Sequence, residues 1–176
     1  ISSGTEYLFY IIFKLFNNEI YGLENPCHKM FKELFLTNNV SFKAISLDEA
    51  GVVVEELKKY NVNIAYVTPS HQFPTGIIMS ISRRTELLNW ANENPNRYIV
   101  EDDYDSEFKY TGRPIPALKA SDVNDRVIYL GSFSKSISPA IRVSYLVLPK
   151  ALLNIYQKKL PYFICPVPTL NQKILY

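Results

Sequence analysis

Apolar positions along this chain recur with two alternating periods. After Ser2, Ser3, Gly4 and Thr5, apolar residues return every three or four positions as far as Phe16, which is the spacing of a buried helix face. The serine and threonine side chains can cap the first turn of that helix. A short apolar run over residues 19–23 then stops before a proline, so the chain begins with a predicted helix and strand.

The same alternation continues to the end of the chain. Helical spacing predicts helices over residues 27–36, 51–60, 80–94 and 150–159, and a further helix that begins near residue 170. Short apolar runs predict strands over residues 41–45, 64–67, 98–100, 127–130 and 145–148. Strands that alternate with helices predict an α/β fold with a mostly parallel sheet and helices on both faces.

Polar residues cluster directly after the predicted strands. In order along the chain they are Asn25 and His28, His71 and Gln72, Asp102 and Tyr104, and the segment from Ser132 to Lys135. Ligands of parallel α/β sheets bind beyond the carboxyl ends of the strands. We therefore expect these residues to meet at one edge of the sheet.

Composition narrows the class of protein. The 176 residues are 47% apolar and 20% charged, with a net charge of +2, which fits one globular domain and does not point to nucleic acid or a membrane. No apolar run reaches the roughly 20 residues of a membrane span, and no signal peptide is recognisable. Cys27 and Cys165 are too few for a disulfide framework, so we predict a reducing, cytoplasmic setting. The chain opens in a loop and closes in a helix that has barely begun, so we expect it to be part of a longer protein.

One lysine lies where a cofactor could be held covalently. Residues 131–135 read Gly-Ser-Phe-Ser-Lys, and Arg142 follows. Desolvation after a buried strand would lower the pKa of Lys135 and free its amine for a Schiff base. Ser132, Ser134 and Arg142 offer donors to a phosphate, and pyridoxal phosphate needs such a set. The alternative is a solvated loop lysine beside ordinary turn serines.

A run of carboxylates follows the strand predicted at residues 98–100. An aspartate that stays ionised in a cleft needs a positive partner, and the protonated ring nitrogen of pyridoxal phosphate is one. We assign that role to Asp102, and Tyr104 is near enough in sequence to reach the ring hydroxyl. A solvated acidic turn is the alternative. A metal site is disfavoured because no histidine lies nearby, and we predict none.

Two further segments carry weaker signals. Gly4 and Thr5 open a helix, whose free N–H groups and positive end attract phosphate, although any well-capped helix looks similar. The ring of His28 could stack on a pyridine face, but a surface or capping histidine explains it equally well.

Together these segments resemble the fold-type I enzymes of the aspartate aminotransferase superfamily. More narrowly, they resemble the aminotransferase-like domain of MocR/GabR-type bacterial regulators of the GntR family. The resemblance rests on residues 68–76 (TPSHQFPTG), 101–108 (EDDYDSEF), 131–135 (GSFSK) and 139–142 (PAIR), and covers essentially the whole chain in the right order.

The resemblance implies a role for each matching residue. Lys135 would form the Schiff base, Asp102 would pair with the ring nitrogen, Tyr104 would contact the ring hydroxyl, and His28 would stack on the ring. The phosphate would be held by Gly4, Thr5, Ser132, Ser134 and Arg142. It also implies a homodimer and an amino acid or amine ligand. DNA would be bound only through a winged-helix domain missing from this chain, and a small C-terminal domain is missing too.

Several positions depart from the family pattern. Cys27 and His28 replace a glycine and a tyrosine, and Glu6 replaces a glutamine, which puts a carboxylate near the phosphate site. Ser144 stands where a glycine is common, and Phe73 stands where aminotransferases have an asparagine. These departures bear on turnover more than on cofactor binding.

Three functions are consistent with these residues. The first is the effector-sensing domain of a MocR-type regulator, and the second is a stand-alone aminotransferase acting on an amino acid. The third is a relic of the fold that binds no cofactor.

Overall fold

A computed structural model describes residues 1–108 and 116–175 as one seven-stranded sheet with helices around it. The helices are α1 (Thr5–Leu15), α2 (Lys29–Thr37), α3 (Val54–Lys59), α4 (Ile81–Asn92), α5 (Lys150–Lys159) and α6 (Thr169–Ile174). The strands are β1 (Tyr21–Asn25), β2 (Phe42–Asp48), β3 (Gly51–Val52), β4 (Ile64–Val67), β5 (Tyr98–Asp103), β6 (Val127–Ser132) and β7 (Ser144–Val147). Two 3-10 turns lie at Leu118–Ser121 and Pro139–Ile141.

The strand order is β3-β2-β1-β4-β5-β6-β7. The five inner strands are β2, β1, β4, β5 and β6, and they run parallel to one another. The edge strands β3 and β7 are antiparallel to their neighbours. Parallel strands put all their carboxyl ends at the same edge of a sheet, so the loops that follow β1, β4, β5 and β6 lie side by side.

Each face of the sheet has its own hydrophobic core, because successive side chains of a strand point to opposite faces. On one face α1, α2 and α5 pack on alternate strand residues such as Tyr21, Tyr66 and Val100. On the other face α3 and α4 pack on the intervening residues, such as Ala65 and Ile99. The predicted α/β fold with helices on both faces is confirmed.

The predicted elements are found with shifted ends, and one is wrong in part. Residues 51–60 were expected to be one helix, but Gly51–Val52 pairs with β2 as an antiparallel strand and the helix begins at Val54. The cause is a tight turn, in which the Asp48 carboxylate accepts a hydrogen bond from the Ala50 N–H at 2.8 Å. The predicted final helix is present as α6, and residue 176 lies outside the described residues.

The strand β5 runs further than its apolar residues indicate. It continues to Asp103, because Asp102 and Asp103 pair with Leu130 and Gly131 of β6. The carboxylates therefore begin inside the strand rather than after it. Among the described helices, none is long and apolar enough to cross a membrane.

Candidate functional site

One cavity of about 290 Å³ lies at the carboxyl edge of the sheet. It is lined by Thr5, Glu24, Cys27, His28, Phe31, Tyr66, Thr68, Phe73, Asp102, Tyr104 and Lys135. Thr5, His28, Asp102, Tyr104 and Lys135 were all expected at the site from the sequence. The parallel sheet thus brings together residues that are far apart along the chain.

Asp102 is a buried acid that faces this cavity. It is 6% exposed, and the Tyr66 hydroxyl donates a hydrogen bond to its Oδ2 at 2.7 Å. Burial raises the pKa of Asp102 to about 6, against the lowering effect of the Tyr66 hydrogen bond. Within the described residues, Asp102 has no ion pair with a lysine, arginine or histidine. A buried carboxylate of this kind suits a ligand that brings its own positive charge.

The two carboxylates beside Asp102 in sequence accept hydrogen bonds from other parts of the chain. Glu101 accepts hydrogen bonds from the backbone N–H groups of Leu118 and Lys119 at 2.6 and 2.8 Å. Asp103 accepts hydrogen bonds from the hydroxyls of Tyr129 and Ser106. Because Glu101, Asp102 and Asp103 are all buried, this run is not the solvated acidic turn that the sequence left open.

Lys135 lies above the ring of Tyr104, with its Nζ 4.4 Å from the ring centroid. The same Nζ is 3.9 Å from Oδ2 of Asp105, whose Oδ1 is 3.0 Å from Nδ1 of His71. The Tyr104 hydroxyl donates to the carbonyl oxygen of His71 at 2.9 Å. The expected burial of Lys135 is not observed, since its side chain is 54% exposed. The lysine follows β6 by three residues, far enough from the sheet to reach solvent.

A second group of predicted residues meets beside the start of α1. Gly4 has a φ of +103°, and a Cβ added there would lie 2.2 Å from Nη2 of Arg142. The positive φ favours glycine here, and a side chain would displace the Arg142 guanidinium. The Ser132 hydroxyl accepts from the Ser134 N–H at 3.2 Å and from the Ser144 hydroxyl at 3.1 Å. The hydroxyl and N–H groups of this cluster and the Arg142 guanidinium are donors that suit an anion at the N-terminus of a helix.

A backbone bridge holds this group in place. Ser2 and Ser144 exchange two backbone hydrogen bonds of 2.8 and 2.9 Å. This bridge fixes the segment before α1 against β7, next to Ser132. Gly4, Ser132 and Arg142 thereby lie on neighbouring segments.

His28 is a helix cap, and it also lines the cavity. It precedes α2 and its Nδ1 accepts from the Met30 N–H at 3.2 Å, so it is a helix cap. Its ring also lines the cavity, with its centroid 5.0 Å from that of Phe73. Cys27 next to it is half-buried.

Glu24 and Tyr66 are among the cavity residues that the sequence did not assign to the site. Oε2 of Glu24 accepts from the N–H and the hydroxyl of Thr68 and from the amide of Gln72, at 3.2, 2.7 and 3.3 Å. Burial raises the pKa of Glu24 to about 7. A tyrosine inside a fully apolar strand was a usable signal for Tyr66, because a buried tyrosine hydroxyl normally has a partner.

The donor set fits pyridoxal phosphate. Asp102 offers a buried negative charge, Lys135 an accessible amine in the same cavity, and His28 a flat ring at its wall. Gly4, Ser132, Ser134 and Arg142 offer N–H, hydroxyl and guanidinium donors beside the helix start.

Comparison with known proteins gives a consistent result. The model of the family "Aminotransferase class I and II" matches residues 1–175. The uncharacterized HTH-type transcriptional regulator YdeL of Bacillus subtilis is 44% identical over 155 residues, which are 88% of this chain and 33% of YdeL. The probable rhizopine catabolism regulatory protein MocR of Rhizobium meliloti is 31% identical over 90% of this chain and 32% of its own length.

A solved structure shows the same architecture. The kynurenine aminotransferase of Pyrococcus horikoshii superposes with a TM-score of 0.83 at 32% identity, covering 97% of this chain and 45% of that one. The chain spans about a third of the length of the curated relatives named here.

Proposed function

Because this chain belongs to the class I and II aminotransferase family, we propose that it binds pyridoxal phosphate as the effector-sensing domain of a MocR-type regulator. The observation that carries the proposal is the single cavity that contains both the buried acid Asp102 and the amine of Lys135. The relatives YdeL and MocR are a transcriptional regulator and a regulatory protein by name, which supports the sensor.

Two different groups of residues would hold the ring and the phosphate of the cofactor. Asp102, His28 and Tyr104 would hold the ring, and Lys135 would take the carbonyl group as a Schiff base. Gly4, Thr5, Ser132, Ser134 and Arg142 would hold the phosphate. When bound, pyridoxal phosphate supplies an electron-accepting ring for amine chemistry.

Residues of this chain hold Asp102 and Lys135 in position for this chemistry. The Tyr66 hydroxyl holds Asp102 in place from the neighbouring strand. Asp105 and the face of Tyr104 hold the amine of Lys135 at the cavity wall. A lysine placed in this way can serve as Schiff-base partner and then as a proton carrier.

The proposal extends to the parent protein. By analogy with the fold family, it would act as a homodimer and bind DNA through a separate domain. The ligand would be an amino acid or another amine, and its binding would shift the conformation of the dimer. We propose a cytoplasmic location, in line with the two free cysteines of the described residues.

A stand-alone aminotransferase is the second candidate. It is favoured by one observation, namely that Lys135, Asp102 and Tyr104 all line the same cavity. The Pyrococcus neighbour is a kynurenine aminotransferase.

Absorbance spectroscopy tests cofactor binding. We expect full-length protein mixed with pyridoxal phosphate to show a band near the visible edge that borohydride shifts. Lys135→Ala should abolish the band, and Lys43→Ala, an exposed lysine on β2, should keep it. A folded wild-type protein without the band would overturn the proposal, and the chain would then be a relic of the fold that binds no cofactor.

Release of product separates the two candidates. Amino acids that change the spectrum would be incubated with the loaded protein, and the release of keto acid would be followed. A spectral change without keto acid supports the sensor. Repeated turnover supports the enzyme.

A further inference from the structure

The residues beside the start of α1 include a carboxylate where an anion is expected to bind. Oε2 of Glu6 lies 3.2 Å from Nη2 of Arg142, and both side chains are about half exposed, at 41% and 49%. A Cβ built on Gly4 would lie 2.2 Å from Nη2 of Arg142 and 2.7 Å from Oε2 of Glu6. Glycine, guanidinium and carboxylate therefore meet at one point.

We propose that Glu6 is an affinity-determining residue of the cofactor site, which competes with the cofactor's phosphate for Arg142 and weakens the preference for phosphorylated over unphosphorylated pyridoxal. This inference rests on the proposed function, since it needs a cofactor whose phosphate reaches Arg142.

The charges of the site give the physical reason. Arg142 is the one cation among the five residues assigned to the phosphate, because the others are glycine, threonine and two serines. An arginine that already pairs with a carboxylate must give up part of that pairing to bind a phosphate. A phosphate also carries a charge close to −2, so the carboxylate repels it at short range.

The position of Glu6 makes the effect specific to the phosphate. Glu6 lies in the first turn of α1, where a negative charge is favourable to the helix. It is not among the residues that line the cavity around Asp102 and Lys135. Its charge should therefore act on the anionic end of a ligand and leave the ring and aldehyde unaffected.

The competition is testable with two ligands that differ only in the phosphate. Full-length wild type, Glu6→Gln and Glu49→Gln would be titrated with pyridoxal phosphate and with pyridoxal, with the absorbance band as readout. Glu49→Gln is the matched control, because Glu49 is exposed in the turn between β2 and β3. That turn lies at the sheet edge opposite β7, which Arg142 precedes.

We expect Glu6→Gln to bind pyridoxal phosphate about threefold to tenfold more tightly than wild type. Its affinity for pyridoxal should be unchanged, and Glu49→Gln should match wild type for both ligands. Added salt should narrow the gap between wild type and Glu6→Gln, because the pair is exposed.

Two results would overturn the inference. One is an unchanged affinity of Glu6→Gln for pyridoxal phosphate, and the other is an equal gain for both ligands, which would indicate a general effect on the fold. Thermal unfolding of each variant checks that the proteins compared are folded. Failure of the wild type and of every variant to bind either ligand counts against the proposed function itself and is thus distinguishable.

Discussion

At the scale of single residues, Glu24 and Glu101 are both buried acids but differ in how they are held. The three donors on Glu24 all reach Oε2. On Glu101, the N–H of Leu118 reaches Oε1 and the N–H of Lys119 reaches Oε2. Burial raises the pKa of both carboxyls to about 7. A glutamine has one acceptor oxygen, so it can replace Glu24 but not Glu101.

We expect Glu24→Gln to stabilise the cofactor-free protein at pH 8. A carboxyl whose pKa is raised in the fold favours the protonated form, so its contribution is fully present below the ordinary pKa of 4.5. That contribution is lost as the pH rises towards about 7. Glutamine does not ionise, so the variant should gain on the order of 3 kcal/mol at pH 8 and little at pH 4.

Urea unfolding of the full-length protein at both pH values measures this difference. Glu101→Gln is the paired variant, and it should lose about 1 to 3 kcal/mol at pH 4, because one buried N–H then faces an amide NH2. If Glu24→Gln is the less stable protein at pH 8, the raised pKa of Glu24 is wrong.

At the scale of the elements, Gly22 sets how closely α3 packs on the sheet. A Cβ on Gly22 would lie 2.7 Å from Cδ2 of Leu57 and 3.1 Å from Cγ1 atoms of both Ile45 and Val62. All three neighbours are fully buried. The close contact between β1 and α3 therefore depends on the missing side chain.

We expect Gly22→Ala to destabilise the protein by about 1 to 3 kcal/mol, because the extra methyl overfills a packed core. Leu57→Ala alone should cost about 2 to 5 kcal/mol by leaving a cavity. Since the two side chains compete for the same space, the double variant should cost less than the two single losses added together. Denaturant unfolding of the three variants measures the coupling, and strict additivity would show that Gly22 does not determine the contact.

The elements also show what the sequence could and could not predict. The period of apolar residues predicted α4 and α5 well, because an amphipathic helix carries its own signal. It missed β3, whose two residues form a strand only because Leu47 and Asp48 pair with them. It also ended β5 at Val100, because Glu101, Asp102 and Asp103 look like loop residues until the pairing with β6 is known.

The residues of the site also differ in how far the sequence could predict them. That Lys135 and Asp102 lie at the same cavity could be predicted, because each sits in a motif that follows a predicted strand. Tyr66 could not be assigned as the partner of Asp102, because the two are brought together only by the register between β4 and β5.

At the scale of the whole molecule, the proposed cofactor would join segments that are far apart along the chain. The group assigned to the phosphate includes Gly4 before α1 and Arg142 before β7, while the ring would pair with Asp102 on β5. A ligand that binds such a site only in the folded protein stabilises the entire fold by mass action. Cofactor binding and resistance to unfolding should therefore rise together.

We expect saturating pyridoxal phosphate to raise the unfolding temperature of the full-length protein, with a gain of about 2.7 kcal/mol at a hundred times Kd. The gain should grow with ligand concentration. It should shrink strongly in Lys135→Ala, which loses the covalent attachment, and with pyridoxine phosphate, which has the ring and phosphate but no aldehyde. If Lys135→Ala is stabilised as much as wild type, the phosphate and ring contacts alone anchor the cofactor and the lysine does not. A gain in wild type that falls away in both comparisons would mean that the covalent attachment to Lys135 carries most of the stabilisation.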